Sequence, residues 1–97
     1  MKILWTKAAQ GSFDNIVDYL KNEWSINSAI KFVNKTVVFL DVLQKHPEIG
    51  RKENVKNDLR SFVLTRQTTI FYRIKNDSTI VLLKFFDTRQ NPENRFK

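Results

Sequence analysis

Apolar residues recur along this chain in two rhythms. Between positions 8 and 24 they fall three and four apart, at Phe13, Ile16, Val17, Leu20 and Trp24. That spacing puts them on one stripe of an amphipathic helix. Thr6 is placed to cap its first turn. Gly11 weakens that turn by about 1 kcal/mol relative to Ala. A second run in the same rhythm, Ile26, Ile30, Val33, Val37, Leu40 and Leu43, predicts a second helix buried along that stripe. Lys31, Asn34, Lys35 and Asp41 fall mostly on its other face. Ser25 suits its N-cap, Pro47 stops it and Gly50 turns the chain away. With so little chain between them, the two helices form an antiparallel hairpin.

The other rhythm is the alternation of a strand. Residues 2–5 predict a short first strand. Residues 58–92 predict three more, turning at Thr65-Arg66-Gln67-Thr68 and at Asn76-Asp77, residue types that tolerate the positive φ of a two-residue hairpin turn. Residues 46–54 form the longest loop. The order strand, two helices, three strands implies an α+β fold, with the helical hairpin packed on one face of a largely antiparallel four-stranded sheet. One domain spanning 1–97 is expected at this length. Alternation assigns Ile70, Tyr72, Ile74, Val81, Leu83 and Phe85 to the helix-facing side. The opposite side then mixes Phe62, Phe71, Leu82 and Phe86 with Arg60, Arg73 and Lys84. A solvent face so rich in aromatics marks a docking surface, unless a C-terminal tail carrying Phe96 covers it.

Charge sharpens the picture. The formal net charge is +7 with a pI near 9.9, which favours an acidic or polyanionic partner. A loose basic run, Lys52, Lys56, Arg60 and Arg66, could meet phosphates or carboxylates. There is no cysteine and one histidine, His46, so neither a disulfide nor a transition-metal site is expected, and no cofactor. No glycine-rich phosphate loop occurs, and Asp14 and Asp18 read as solvated helix carboxylates. No apolar run approaches the roughly 18–20 residues that span a membrane. A cytoplasmic address is expected.

The chain resembles the RelE/ParE family of bacterial toxins from type II toxin–antitoxin modules. Ile3-Leu4-Trp5-Thr6 followed by Ala8-Ala9 is similar to the family's opening. His46-Pro47-Glu48-Ile49-Gly50-Arg51 resembles its Pro-x-x-Gly-Arg connection. Ile70-Phe71-Tyr72-Arg73-Ile74 resembles its Tyr-Arg strand, and Asp87-Thr88-Arg89-Gln90-Asn91-Pro92 its closing Arg-Gln-x-Pro. The resemblance implies a growth inhibitor held silent by a cognate antitoxin in a toxin–antitoxin hetero-oligomer.

It also implies one of two mechanisms. ParE-like members block DNA gyrase by binding, with no chemical site of their own. RelE-like members cut mRNA on the ribosome by attack of a 2′-OH on the adjacent phosphate. That reaction needs a base, an acid and cations for the developing charge. Carried over by residue, Arg89 falls at a C-terminal arginine that can hold phosphate and Arg60 near a basic strand position, while Thr69 stands where an arginine is expected. Arg95 and Phe96 lie near the expected tyrosine, and phenylalanine cannot move a proton. His46 or Glu93 would have to do so. The missing acid–base group favours the gyrase-binding branch, with Arg60, Phe62, Phe71, Arg73, Lys84, Phe86, Arg89, Arg95 and Phe96 as binding residues. A ribosome-dependent RNase and a non-toxic basic binding module are the alternatives.

Overall fold

The computed structural model describes residues 1–54, 58–76 and 78–89. In chain order the elements are β1 (Lys2–Trp5), α1 (Lys7–Glu23), α2 (Ile26–Lys45), β2 (Arg51–Asn54), β3 (Leu59–Val63), β4 (Thr68–Lys75) and β5 (Thr79–Asp87). They form an α+β fold with one sheet ordered β1-β5-β4-β3-β2. Among the described strands only the β1–β5 pairing is parallel. The expected four-stranded sheet gains a fifth strand, because residues 51–54 of the supposed loop pair with β3.

Both helix starts follow from their caps. The Thr6 hydroxyl accepts the Ala9 N–H at 3.0 Å, and the Ser25 hydroxyl accepts the Ser28 N–H at 3.0 Å. Asn76 takes the left-handed φ of 57° that its turn requires. At the other turn, Thr65 Oγ1 accepts the Thr68 N–H at 3.0 Å.

The buried faces depart from the expected ones in three places. In α1, Ile16 and Leu20 are buried and Phe13 and Val17 pack beside them, but Trp24 is exposed beyond the helix end. In α2 the buried stripe is Ala29, Phe32, Thr36, Phe39 and Leu43. Ile26, Ile30 and Val37 are exposed, so the stripe expected from 26, 30, 33 and 37 is rotated out of the core. The aromatic rings decide this rotation. Phe32 stacks on Phe13 of α1 at 5.5 Å, and Phe39 stacks on Phe62 of β3 at 4.3 Å. Thr36 tolerates burial because its hydroxyl donates to the Phe32 carbonyl at 2.9 Å.

The sheet supplies the third departure. Ile70 pairs with Phe85, but Tyr72 pairs with Leu82 and Ile74 with Ile80, so the register slips between Phe71 and Tyr72. Leu83 is the extra residue of a β-bulge. A bulge changes which alternate residues face inward. Ile80, Leu82 and Phe85 therefore face the helices, while Val81 turns outward, against the expected assignment of Val81 and Leu83 to the core. The polar groups around the bulge are satisfied from the helix layer. Thr6 Oγ1 donates to the Leu82 and Leu83 carbonyls at 2.9 and 3.2 Å, and Ser12 Oγ accepts the Phe85 N–H at 2.9 Å.

This core assignment yields a direct contrast between neighbours on α2. Phe39→Ala should lower unfolding free energy by about 3–5 kcal/mol, through lost transfer energy and an unfilled cavity. Val38→Ala, at an exposed position, should stay within about 0.5 kcal/mol. Urea denaturation monitored by circular dichroism checks both.

Candidate functional site

The strand register sorts the candidate residues onto two faces. Arg60 pairs with Tyr72 and Phe62 with Ile70, so both stand on the helix side, not on the outer face expected for them. Phe62 is spent in the core against Phe39. Phe71 pairs with Lys84, Arg73 with Val81, and Phe86 with Thr69, so these do lie on the outer face. Phe86 is nearly covered there, and the Lys84 ammonium sits 5.9 Å from its ring centroid. Pairing extends this face to Lys75 opposite Thr79, Lys2 on β1 and Arg51 opposite Ser61. The outer face thus joins Lys2, Arg51, Arg73, Lys75 and Lys84 around Phe71, Val81 and Leu4. Among the described strand residues its one carboxylate is Glu53, which accepts the Ser61 hydroxyl and lies 3.9 Å from Arg51. Lys75, which strand alternation puts on the side of Phe71 and Arg73, joins this patch, as do Lys2 and Arg51, which the alternation did not place there. Register alone could have revealed the latter two.

Arg60 has a different occupation. Its side chain is only 12% exposed. Nη1 donates to the Gly50 carbonyl at 3.0 Å and to the Glu48 carbonyl at 3.3 Å, and Nε lies 3.3 Å from Asp58 Oδ1. The Tyr72 hydroxyl donates to the Pro47 carbonyl at 2.9 Å and accepts the Gly50 N–H at 2.7 Å. Burial pushes the Tyr72 phenol above its ordinary value, opposed by the Gly50 N–H and the Arg60 charge. Together Arg60 and Tyr72 anchor the 46–50 segment to the sheet. Gly50 must be glycine, since a Cβ there would lie 2.5 Å from the Tyr72 hydroxyl oxygen and 2.9 Å from the Ser61 carbonyl oxygen. His46 is exposed at the C-cap of α2, its backbone N–H bonded to the Val42 carbonyl.

Arg89 is also engaged. Nη2 and Nε reach the two Asp87 oxygens at 2.8 and 3.1 Å, and the Asp87 side chain is 0% exposed. Thr68 Oγ1 donates to the same carboxylate at 2.7 Å, and the Arg89 backbone N–H does so at 2.9 Å. The Arg89 guanidinium also lies 5.9 Å from the exposed Trp24 ring. Burial alone would raise the Asp87 carboxyl, but the hydrogen bonds from Arg89 and Thr68, with the Arg89 charge, hold it below the usual carboxylate range. The same pairing raises Arg89 above its ordinary value.

These two arginines do not converge. Arg60 stands opposite Tyr72 and Asp87 opposite Thr68, so four residues of β4 separate their levels, about 13 Å of strand. Glu93, Arg95 and Phe96 lie outside the described residues, as does Lys56. No group of three or more His, Cys, Asp or Glu that could hold a metal occurs among the described residues. No described helix is long and apolar enough to cross a membrane.

Comparison with known proteins places this geometry in context. Residues 3–92 match the model of the ParE toxin of the type II toxin–antitoxin system parDE. Among solved structures, the fold is similar to a chromosomal ParDE toxin–antitoxin system from P. aeruginosa, at 26% identity and TM-score 0.72, over 90% of this chain and 95% of that one. It is also similar to a YoeB/ParE toxin from Agrobacterium tumefaciens, at 13% identity and TM-score 0.64, over 90% and 98%. A copper-bound mutant toxin from Helicobacter pylori shares the fold at 16% identity and TM-score 0.58, over 94% and 98%. No curated protein matches the chain.

Two tests follow from the anchored segments. Gly50→Ala should destabilise the fold, and in a Tyr72→Phe background, which removes the nearest oxygen, the added cost should be smaller than in the wild type. Urea titration of the four-member cycle measures the coupling. The second concerns acid. Folded Asp87 holds its proton more weakly than unfolded Asp87, so its contribution is complete above the unfolded value near 3.9 and is lost as pH falls through the lower folded value. Thermal melts of the wild type should therefore drop more steeply below about pH 4 than those of Asp87→Asn.

Proposed function

The chain belongs to the ParE toxin family of type II toxin–antitoxin systems, and from that premise we propose that it is a growth inhibitor neutralised by a cognate antitoxin and acting by binding DNA gyrase. The whole of 1–97 is read as one toxin domain working in the cytoplasm. What supports binding over RNA cleavage is the commitment of its arginines. A nuclease of the RelE type needs cations free to meet a phosphate, beside groups that move protons. Here Arg89 is neutralised by a fully buried carboxylate, and Arg60 is turned toward loop carbonyls on the far part of the sheet. His46 caps a helix. Gyrase as the target rests on the ParE branch of the family.

The surface best suited to a macromolecular partner is the outer sheet face. Its cations carry no more than one described carboxylate, itself engaged, and they surround a small apolar centre. Acidic antitoxin segments fit this pattern through electrostatic steering and apolar contact.

Purified protein should stop gyrase supercoiling, with activity restored by its antitoxin, and should leave ribosome-bound mRNA intact. Codon-phased cuts in that mRNA would reject the binding reading in favour of the nuclease. Arg73→Glu combined with Lys84→Glu should weaken antitoxin binding at least ~10-fold at low salt. Arg89→Ala should instead act on the fold, costing about 3 kcal/mol by leaving Asp87 buried without its counter-charge.

A further inference from the structure

We propose that the outward stripe of α2 is a self-association surface on which a second copy of this chain docks. The stripe is unusual for a helix already packed on a core. Ile26 is 64% exposed, Ile30 51% and Val37 60%, and Trp24, just before the helix, is 62% exposed. At 100° per residue, Ile26, Ile30 and Val37 fall within 40° of one another, with Val33 beside them. This is a continuous apolar ridge, running beside the buried stripe of Phe32, Thr36 and Phe39.

Charge indicates what can cover the ridge. Between Lys7 and Lys45 the chain holds five lysines and four carboxylates, so nearly all of the +7 excess lies outside the helices. Lys31 and Lys35 point a third of a turn or more away from the ridge. At its rim Asp41 and Lys45 neutralise one another at 3.5 Å. An acidic partner is drawn to the sheet face and finds little electrostatic reason to choose this one. A second copy meets neither charge attraction nor the repulsion that a strongly basic chain would otherwise impose.

The ridge is also complementary to itself. Antiparallel pairing of two α2 helices about a two-fold axis near Val33 sets Ile30 of each copy against Val37 of the other, an isologous contact. Complete covering of Trp24, Ile26, Ile30 and Val37 removes about 450 Å² per copy, roughly 900 Å² for the pair, short of the ~1,200 Å² of a standard interface and in the range of a weak, reversible one. Neither cationic sheet face is part of the interface so formed.

Sedimentation equilibrium of the full chain, from micromolar to submillimolar concentration, tests this. The expected result is a reversible shift from 11.5 kDa toward twice that mass, abolished by Ile30→Glu with Val37→Glu while helical circular dichroism is retained. The chain has no cysteine, so Asn34→Cys gives a clean second measurement. It should form a disulfide-linked dimer on mild oxidation, whereas Lys52→Cys on the β2 edge should not. A wild type that stays at 11.5 kDa throughout, or a double variant that still dimerises, overturns the proposal. So does a monomeric wild type whose antitoxin binding is lost in the double variant, since the ridge then belongs to the antitoxin.

Discussion

One surplus residue in β5 governs how the two faces of this molecule are composed. β5 lies between β1 and β4 and carries α1 on its inner face, so its side-chain parity determines both layers. Without the bulge at Leu83, a strand that buries Ile80 and Leu82 would also bury Lys84 and Phe86. With it, Phe85 takes the inward position against Trp5 and Phe13, at 5.4 and 5.3 Å, and Lys84 emerges on the opposite side. Bulges disturb backbone pairing, and a buried polar group left without a partner costs about 1–3 kcal/mol. Thr6 and Ser12 avoid that cost. Thr6 thus caps α1 and secures the bulge with the same side chain, which ties the helix start to the sheet irregularity.

The polar interior is organised around positions that a nuclease reading would leave open. Arg89 and Asp87 form a two-pronged ion pair closed by Thr68, at the end of β5. Arg60 and Tyr72 hold the Pro47–Gly50 segment from the middle of the sheet. The first cluster satisfies its buried carboxylate and the second its loop backbone, with Arg60 Nε and Asp58 Oδ1 buried side by side without a hydrogen bond, and neither cluster faces the other. This division of labour underlies the proposed binding mode. The arginines on the helix side maintain shape, and the cations of the outer face remain available.

The two broad surfaces differ in kind. The outer sheet face is cationic with a small apolar centre, whereas the helix layer is almost balanced in charge and exposes an aliphatic ridge. On the proposed readings, separate surfaces of separate chemistry would serve unlike partners without competition between them.

The sequence by itself determined every element except β2, both helix caps, the hairpin turns and the family. These depend on local chemistry: a threonine or serine before a helix, an asparagine that accepts positive φ, periodicity within one element, and short motifs in order. Tertiary structure alone decided which α2 stripe is buried, which residues β5 turns inward, and that Arg60 and Phe62 stand on the helix side. Two stripes on α2 were apolar enough to be core, and stacking of Phe32 and Phe39 on rings from other elements selected one. A bulge leaves no mark in alternation, and cross-strand register depends on partners distant along the chain. For the same reason the ion pair between Asp87 and Arg89, two residues apart, was not read from the sequence: the burial of Asp87 beside Thr68 is set by the packed sheet.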